Sequence, residues 1–266
     1  MILNNKSILA VASDFDGTII KEGMTEPPAL FYEVVEKLLK EKIPFIAASG
    51  RQYGNLRHLL GDFADMVSYI AENGCLVVYK GEIIHKSIIE HALAMKLIAD
   101  LQAEPDTEIM VSGENTSYLV TKNSEYIDML KYRVKHNVTL LESFTDIPED
   151  IIKISLYWKT GIPAEPERQF HQKYDSVLSV VNGGNGWLDF NAQGTGKGEA
   201  LQILANHLNI PIANIVAFGD NENDITMIKK AGIGYAVSSA KPHIRTLADA
   251  VCDNVEQVLL DALQNR

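Results

Sequence analysis

The stretch Ile8-Leu9-Ala10-Val11-Ala12-Ser13-Asp14-Phe15-Asp16-Gly17-Thr18 sets the reading of the whole chain. An apolar run without polar alternation reads as a strand buried on both faces, as in a parallel sheet. Here it breaks straight into two carboxylates, a glycine and a threonine. A second run, Ile215-Val216-Ala217-Phe218, breaks in the same way into Gly219-Asp220-Asn221-Glu222-Asn223-Asp224. In open α/β sheets, ligands bind off the carboxyl ends of the strands. Two such strands side by side would gather Asp14, Asp16, Asp220 and Asp224. Clustered carboxylates repel unless a hard cation neutralises them, and Mg²⁺ prefers oxygen ligands. A Mg²⁺ site that handles phosphate is therefore expected.

Working outward, strand and helix signals alternate. Strands are predicted at 8–13, 44–48 and 67–71, and helices at 28–41 and 52–60, with a turn at Asn73-Gly74 and a hairpin through Lys80-Gly81. This rhythm argues for a Rossmann-like parallel-sheet core with helices on both faces. The middle differs. Helices are predicted at 91–103, 124–135 and 163–174, strands at 107–111, 117–121, 151–158 and 177–181, and a turn at 182–186. The one-sided pattern of Ile152, Ile154, Leu156 and Trp158 suits an open antiparallel sheet with helices on one side. Residues 84–187 are thus expected to form an α+β domain inserted between 1–83 and 188–266. The last part returns to the α/β rhythm, with helices at 197–208 and 223–231, strands at 215–218, 234–237 and 250–253, and a final helix.

Composition narrows the partners. The chain has 266 residues, 46% of them hydrophobic and 22% charged, as in an ordinary globular protein. Its 35 acids and 24 bases leave a net charge of −11, a poor field for nucleic acid or anionic membrane. An anionic substrate would need local positive charge from a metal, Lys or Arg. Asp14 cuts the first apolar run too short for a secretory signal, and no stretch reaches the roughly 18 apolar residues of a membrane span. The cytoplasm is the default compartment, and a monomer or homodimer the default assembly. Cys75 and Cys252 lack metal or redox spacing and read as buried thiols. The seven histidines show no metal spacing and read as structural or surface residues.

Each motif has a bland rival. In Asp14-x-Asp16-Gly17-Thr18 the carboxylates leave an extended segment on the same side. Asp14 could attack phosphorus and Asp16 could act as general acid and base, whereas Asp, Gly and Thr also make plain turns. A Ca²⁺ loop fails because Ile19 and Thr25 stand where Gly and Glu are needed. Asp220, Asn223 and Asp224 suit metal ligation, or an acidic helix start. Ser49-Gly50-Arg51 offers a hydroxyl and backbone N–H groups to a phosphate. Gly194-Thr195-Gly196-Lys197-Gly198 resembles a nucleotide P-loop but fails twice, with Asn191 at the first glycine and Gly198 at the Ser/Thr position. That disfavours an ATP-dependent kinase. Lys197 still makes sense as a cation offsetting Asp14 and a transferring phosphoryl group.

In this order the four elements resemble the haloacid dehalogenase-like phosphohydrolase superfamily: Asp14-Phe15-Asp16-Gly17-Thr18, Ser49, Lys197, and Gly219-Asp220-Asn221-Glu222-Asn223-Asp224. The Gly-Asp-x-x-Asn-Asp form, Ser49-Gly50-Arg51, Glu72-Asn73-Gly74 and the long insert before the lysine look like its Cof-type branch, whose α+β cap lies between the second and third motifs. The resemblance implies Asp14 as nucleophile and Asp16 as general acid/base. It implies Mg²⁺ held by Asp14, the Asp16 carbonyl and Asp220, with Asp224 as a further carboxylate. Ser49 and Lys197 would bind the phosphoryl group, Asn223 would help position it, and Arg51 would reach the substrate or the cap. The chain departs from the family at Ser49, where Thr is usual, and at Ser239, where Asn is usual.

The expectation is a Mg²⁺-dependent phosphatase that hydrolyses a small phosphorylated metabolite through an aspartyl phosphate. Sugar phosphates, pyridoxal phosphate, flavin phosphates and nucleotides are all open as substrates. A sugar phosphomutase on the same fold, or a non-catalytic phospholigand binder, is the alternative. For specificity, position points to the turn Gly113–Thr116 and to the strand Ile154–Trp158.

Overall fold

A computed structural model describes residues 1–264. A small hairpin, β1 (Ile2–Leu3) and β2 (Lys6–Ser7), precedes β3 (Ala10–Ser13), α1 (Ala29–Lys40), β4 (Phe45–Ala48), α2 (Tyr53–Leu60), β5 (Ser68–Ala71), β6 (Leu76–Tyr79) and β7 (Glu82–Lys86). The middle of the chain holds α3 (His91–Leu101), β8 (Thr107–Ser112), β9 (Ser117–Leu119), α4 (Ser124–Asp128), β10 (Val138–Leu140), β11 (Lys153–Trp158), α5 (Ala164–Tyr174), β12 (Leu178–Gly184) and β13 (Trp187–Ala192). The chain closes with α6 (Lys197–His207), β14 (Ile215–Gly219), α7 (Ile225–Lys230), β15 (Ile233–Val237), α8 (Pro242–Leu247), β16 (Ala250–Cys252) and α9 (Val255–Gln264).

Two large sheets result. The first has the order β16-β15-β14-β3-β4-β5-β6-β7, parallel from β16 to β5 and antiparallel at the β6–β7 edge. Its strands bury both faces by simple alternation. Val11, Ala47 and Phe218 pack with α1, α2 and α9 on one side, while Ala12, Ile46 and Ala217 pack with α6 on the other. From β3 the chain builds outward one way, and from β14 the other. The carboxyl ends of these two neighbours therefore flank the topological switch point, where doubly wound sheets bind ligands.

The second sheet, β10-β9-β8-β11-β13-β12, is antiparallel except for the β10–β9 pair. Ile154, Leu156 and Trp158 face α3 and α5, as their alternation predicts. The helices are not confined to that side. α4 and the π-turn Met129–Arg133 lie against Met110 and Leu119 on the opposite face, where a continuous helix over 124–135 was expected.

The expected insert boundaries each fall inside a strand. Glu82–Lys86 belongs to the first sheet and Trp187–Ala192 to the second, so sheet membership moves the crossings to Lys86 and Ala192. The cause at the second crossing is that Asp189 and Asn191 alternate with Leu188 and Phe190. That polar phase interrupts the apolar run, and no strand is predicted over 187–192. The predicted turn at 182–186 tightens to Asn185-Gly186, with β12 running on through a register shift near Asn182–Gly184. Both cysteines are free and buried, as expected.

Phe190 is fully buried and makes edge contacts with Phe170 and Tyr174. Phe190→Ala should lower stability by about 3–5 kcal/mol, as read by urea unfolding. A loss below about 1 kcal/mol would mean that this second core is not packed as described.

Candidate active site

β3 and β14 are adjacent in register, so the acids that follow them emerge side by side. Carboxylate oxygens of Asp14, Asp220 and Asp224 lie within 4.8 Å of one another. Gly17 sits at φ +90°, and a Cβ there would meet Asp220 Oδ2 at 2.3 Å, so only glycine lets the first turn come this close. Thr18 Oγ1 donates to Asp220 Oδ1 at 2.9 Å and holds it against β3.

Lys197 enters from the start of α6. Its Nζ donates to Asp14 Oδ1 and to Asp224 Oδ1, each at 2.6 Å, with no exposure. The glycines around it serve packing: a Cβ on Gly198 would meet the Thr226 carbonyl oxygen at 2.4 Å. Burial opposes the ammonium, but the Asp14 and Asp224 carboxylates outweigh it and raise the amine's pKa. Asp224 spends its other oxygen on the turn, with Oδ2 accepting from the N–H of Asp220 at 3.0 Å and of Asn221 at 3.1 Å. Asp14 Oδ1 is taken by the lysine, and its Oδ2 is buried with no hydrogen-bond partner.

The charge balance points to a cation. Three carboxylates face one ammonium. Burial, then Asp224, holds the Asp14 carboxyl well above its ordinary value against the pull of Lys197. Burial and Asp224 likewise raise Asp220 to about 6. An orphaned buried oxygen within an all-oxygen donor set fits a hard divalent ion such as Mg²⁺.

Asp16 stands apart, with its side chain 45% exposed and gripped in a fork by Arg51 (Nε to Oδ2 and Nη2 to Oδ1, each 2.6 Å). Arg51 Nη1 also donates to Asn55 Oδ1 at 2.8 Å. Ser49 is buried, and its Oγ accepts the Arg51 N–H at 3.1 Å, which closes the turn through Gly50. Asn223 donates from Nδ2 to Asn73 Oδ1 at 2.9 Å. Asp14, Asp16, Ser49, Gly50, Arg51 and Asn223 all line one cleft of about 740 Å³ between the two sheets. Lys197, Asp220 and Asp224 lie behind it as the ammonium and carboxylates around Asp14. Ser239 is exposed and does not line the cleft.

Several cleft residues escaped the sequence reading. Lys153 is buried, ion-paired with Glu72, and donates to the Gly50 carbonyl at 2.8 Å. Asp189 accepts from Asn73 Nδ2 and from Ser155 Oγ, each at 2.6 Å. His136 is buried in the wall, where burial and then the charges of Lys153 and Arg51 lower it to about 3, so the ring is neutral. Within Ile154–Trp158, Ser155 and Tyr157 face the cleft while Ile154, Leu156 and Trp158 face away. The turn Gly113–Thr116 lies off the cleft, with the Glu114 N–H held by Glu149. The missed signal was the polar phase of alternating strands, which is easily taken for a solvent face.

The chain belongs to the haloacid dehalogenase-like hydrolase family, whose model matches residues 11–261. It is 26% identical over 234 residues to the 5-amino-6-(5-phospho-D-ribitylamino)uracil phosphatase YbjI of Escherichia coli, covering 88% of this chain and 86% of that one. It is 28% identical over 189 residues to the Bacillus subtilis enzyme YcsE, which bears the same activity name, covering 66% of this chain and 76% of that one. A solved Streptococcus mutans structure shares the fold with TM-score 0.85 and 27% identity, covering 97% of this chain and 98% of the other. The chain is thus a phosphatase-type hydrolase acting on small phosphorylated substrates, with the family's sheet core and cap. Among the described residues, no helix is long and apolar enough to cross a membrane.

The raised Asp220 pKa predicts a stability gain on neutralisation. Because the carboxyl titrates higher in the folded state, its ionisation destabilises the fold once pH passes from about 4 to about 6. In metal-free protein near pH 7.5, Asp220→Asn should therefore raise the melting temperature by roughly 5 °C. The gain should vanish below about pH 4, where both states are protonated. Thermal scans across pH check this, and a lower melting temperature near pH 7.5 would contradict it.

Proposed function

We propose that this chain is a Mg²⁺-dependent phosphatase that passes the phosphoryl group of a small monoester to Asp14 and then to water. The observation that carries this reading is the Asp14 carboxylate itself, anchored through Oδ1 by a buried lysine while Oδ2 stays without a partner. A structural aspartate in so dry a place would be expected to have both oxygens satisfied.

Each residue then has a task. Asp14 attacks phosphorus, the ester bond to the leaving oxygen breaks, and an acyl phosphate forms on the carboxylate. Asp16, oriented by Arg51, gives a proton to the leaving oxygen and later takes one from the attacking water. The Ser49 hydroxyl, the Gly50 N–H and Lys197 offset the charge on the equatorial oxygens. Asn223 lines the same wall and helps hold the phosphoryl group. Asp14, the Asp16 carbonyl and Asp220 would hold Mg²⁺, and Asp224 fixes both the lysine and the turn that carries Asp220. The ion supplies charge neutralisation at the transferring group. The cap covers the cleft and excludes water.

Candidate substrates are sugar, pyridoxal, flavin and nucleotide monophosphates. The relatives' activity puts 5-amino-6-(5-phospho-D-ribitylamino)uracil first in a panel.

Phosphate release should depend on both Mg²⁺ and Asp14. Chelation should abolish turnover of p-nitrophenyl phosphate, and Asp14→Asn should reduce it by about 10³-fold or more. A folded Asp14→Asn protein with near-normal turnover would overturn the covalent route. A rearranged phosphate ester in place of free phosphate would mean transfer to sugar.

A further inference from the structure

Every carbonyl of the turn Ser49–Arg51 is held, and one of the three holders comes from the cap. The Asn73 N–H donates to the Ser49 carbonyl and the Glu72 N–H to the Arg51 carbonyl, each at 3.0 Å. Both of these donors belong to the core, on the turn between β5 and β6. The Gly50 carbonyl between them instead accepts from Lys153 Nζ at 2.8 Å. Lys153 is the first residue of β11, in the cap sheet, and is buried. Placing an ammonium there costs desolvation that a neutral tie between cap and core would avoid. Burial opposes the charge, but Asp189 and Glu72 outweigh it and raise the amine's pKa, so the donor stays charged.

The carbonyl of Gly50 and the N–H of Arg51 belong to one planar peptide unit. Lys153 holds its oxygen end, and its N–H end donates to Ser49 Oγ at 3.1 Å. A charged donor on the carbonyl polarises the amide and strengthens the N–H as a donor. Because Ser49 Oγ accepts from Arg51, its own proton is left to turn into the cleft that Ser49 lines. Among the described residues, that hydroxyl proton and the Gly50 N–H are the backbone and hydroxyl donors of the turn without a partner.

We infer that Lys153 is a positioning residue through which the cap sets the donors that meet the phosphoryl group. It holds the Gly50–Arg51 peptide, the N–H of that peptide holds Ser49 Oγ, and the Ser49 hydroxyl donates to an equatorial phosphoryl oxygen. The ammonium arrives on the cap sheet, so the donor set is complete when the two sheets are seated together. Glu72 supplies the counter-charge and takes no part in the relay. The inference rests on the phosphatase reading and adds to it a cap residue that acts on the phosphoryl group and not on the leaving group.

Lys153→Met alone would strand the Glu72 carboxylate, so the test builds on Glu72→Gln, which keeps the ammonium on the Gly50 carbonyl. Wild type, Glu72→Gln, and Glu72→Gln combined with Lys153→Met or with Lys153→Leu are compared with Mg²⁺ present. Thermal scans establish which are folded, and the two combined variants give two neutral fillings of one site. Glu72→Gln should keep kcat on p-nitrophenyl phosphate within about threefold of wild type, since it leaves the relay's hydrogen bonds in place. Adding Lys153→Met should lower kcat by about tenfold or more and raise the inhibition constant of inorganic phosphate by a similar factor. The fall should be equal on p-nitrophenyl phosphate and ribose 5-phosphate, because the contact serves the group the two esters share. In a Ser49→Ala background the same step should cost less than about threefold, since the hydroxyl it orients is gone. A folded combined variant that matches Glu72→Gln, a Glu72→Gln protein as impaired as the combined ones, or an undiminished loss in the Ser49→Ala background would each overturn the assignment and leave the phosphatase intact. No phosphate release from either ester by folded, Mg²⁺-supplied wild type would overturn the phosphatase reading itself.

Discussion

The ammonium of Lys197 is the interaction on which the site depends. It joins three segments far apart in sequence: the turn after β3, the start of α6, and the turn after β14. Without it, Asp14 and Asp224 would be left as buried carboxylates with no counter-charge, a situation that costs about 3–5 kcal/mol. The surrounding geometry serves this contact. Small residues let α6 and its neighbouring turn approach, and the switch point of the sheet brings β3 and β14 together. Even so, one cation against three acids leaves the cluster short of positive charge, a deficit that the proposed Mg²⁺ would make good.

Outside this knot the site works by local contrast with a net charge of −11. Arg51 and Lys153 place two further cations at the turn Ser49–Arg51, one forked onto Asp16 and one buried against Glu72. Arg133 and Lys135 add exposed cations to the lining of the same cleft, so positive charge extends beyond that turn. The acidic exterior discourages polyanions that cannot fit inside.

How much of this was legible depended on what each residue faces. The parallel strands were plain, because burial on both faces leaves uninterrupted apolar runs such as Ile8–Ala12 and Ile215–Phe218. The acids stood out because they follow such runs abruptly. The cap was legible as an α+β insert, but its working side was not. Lys153, Ser155 and Asp189 occupy the polar phase of alternating strands, and periodicity cannot distinguish a polar face turned to bulk water from one turned to an enclosed cleft. His136 was set aside for lack of metal spacing, and only tertiary packing makes it part of the wall. Short elements such as β10 and α8 lack the length for a periodic signal.

The polar ties across the seam between the sheets have a thermal consequence. Glu72 with Lys153, Asn73 with Asp189, and Gln52 with the Asn137 backbone all cross it. Unfolding either core bares aliphatic surface and carries a large positive heat-capacity change, whereas parting these groups bares polar surface, which enters with the opposite sign. Parting the sheets along the seam would therefore carry a smaller heat-capacity change than unfolding either core. Parting at the seam and unfolding of the two cores would then respond differently to temperature.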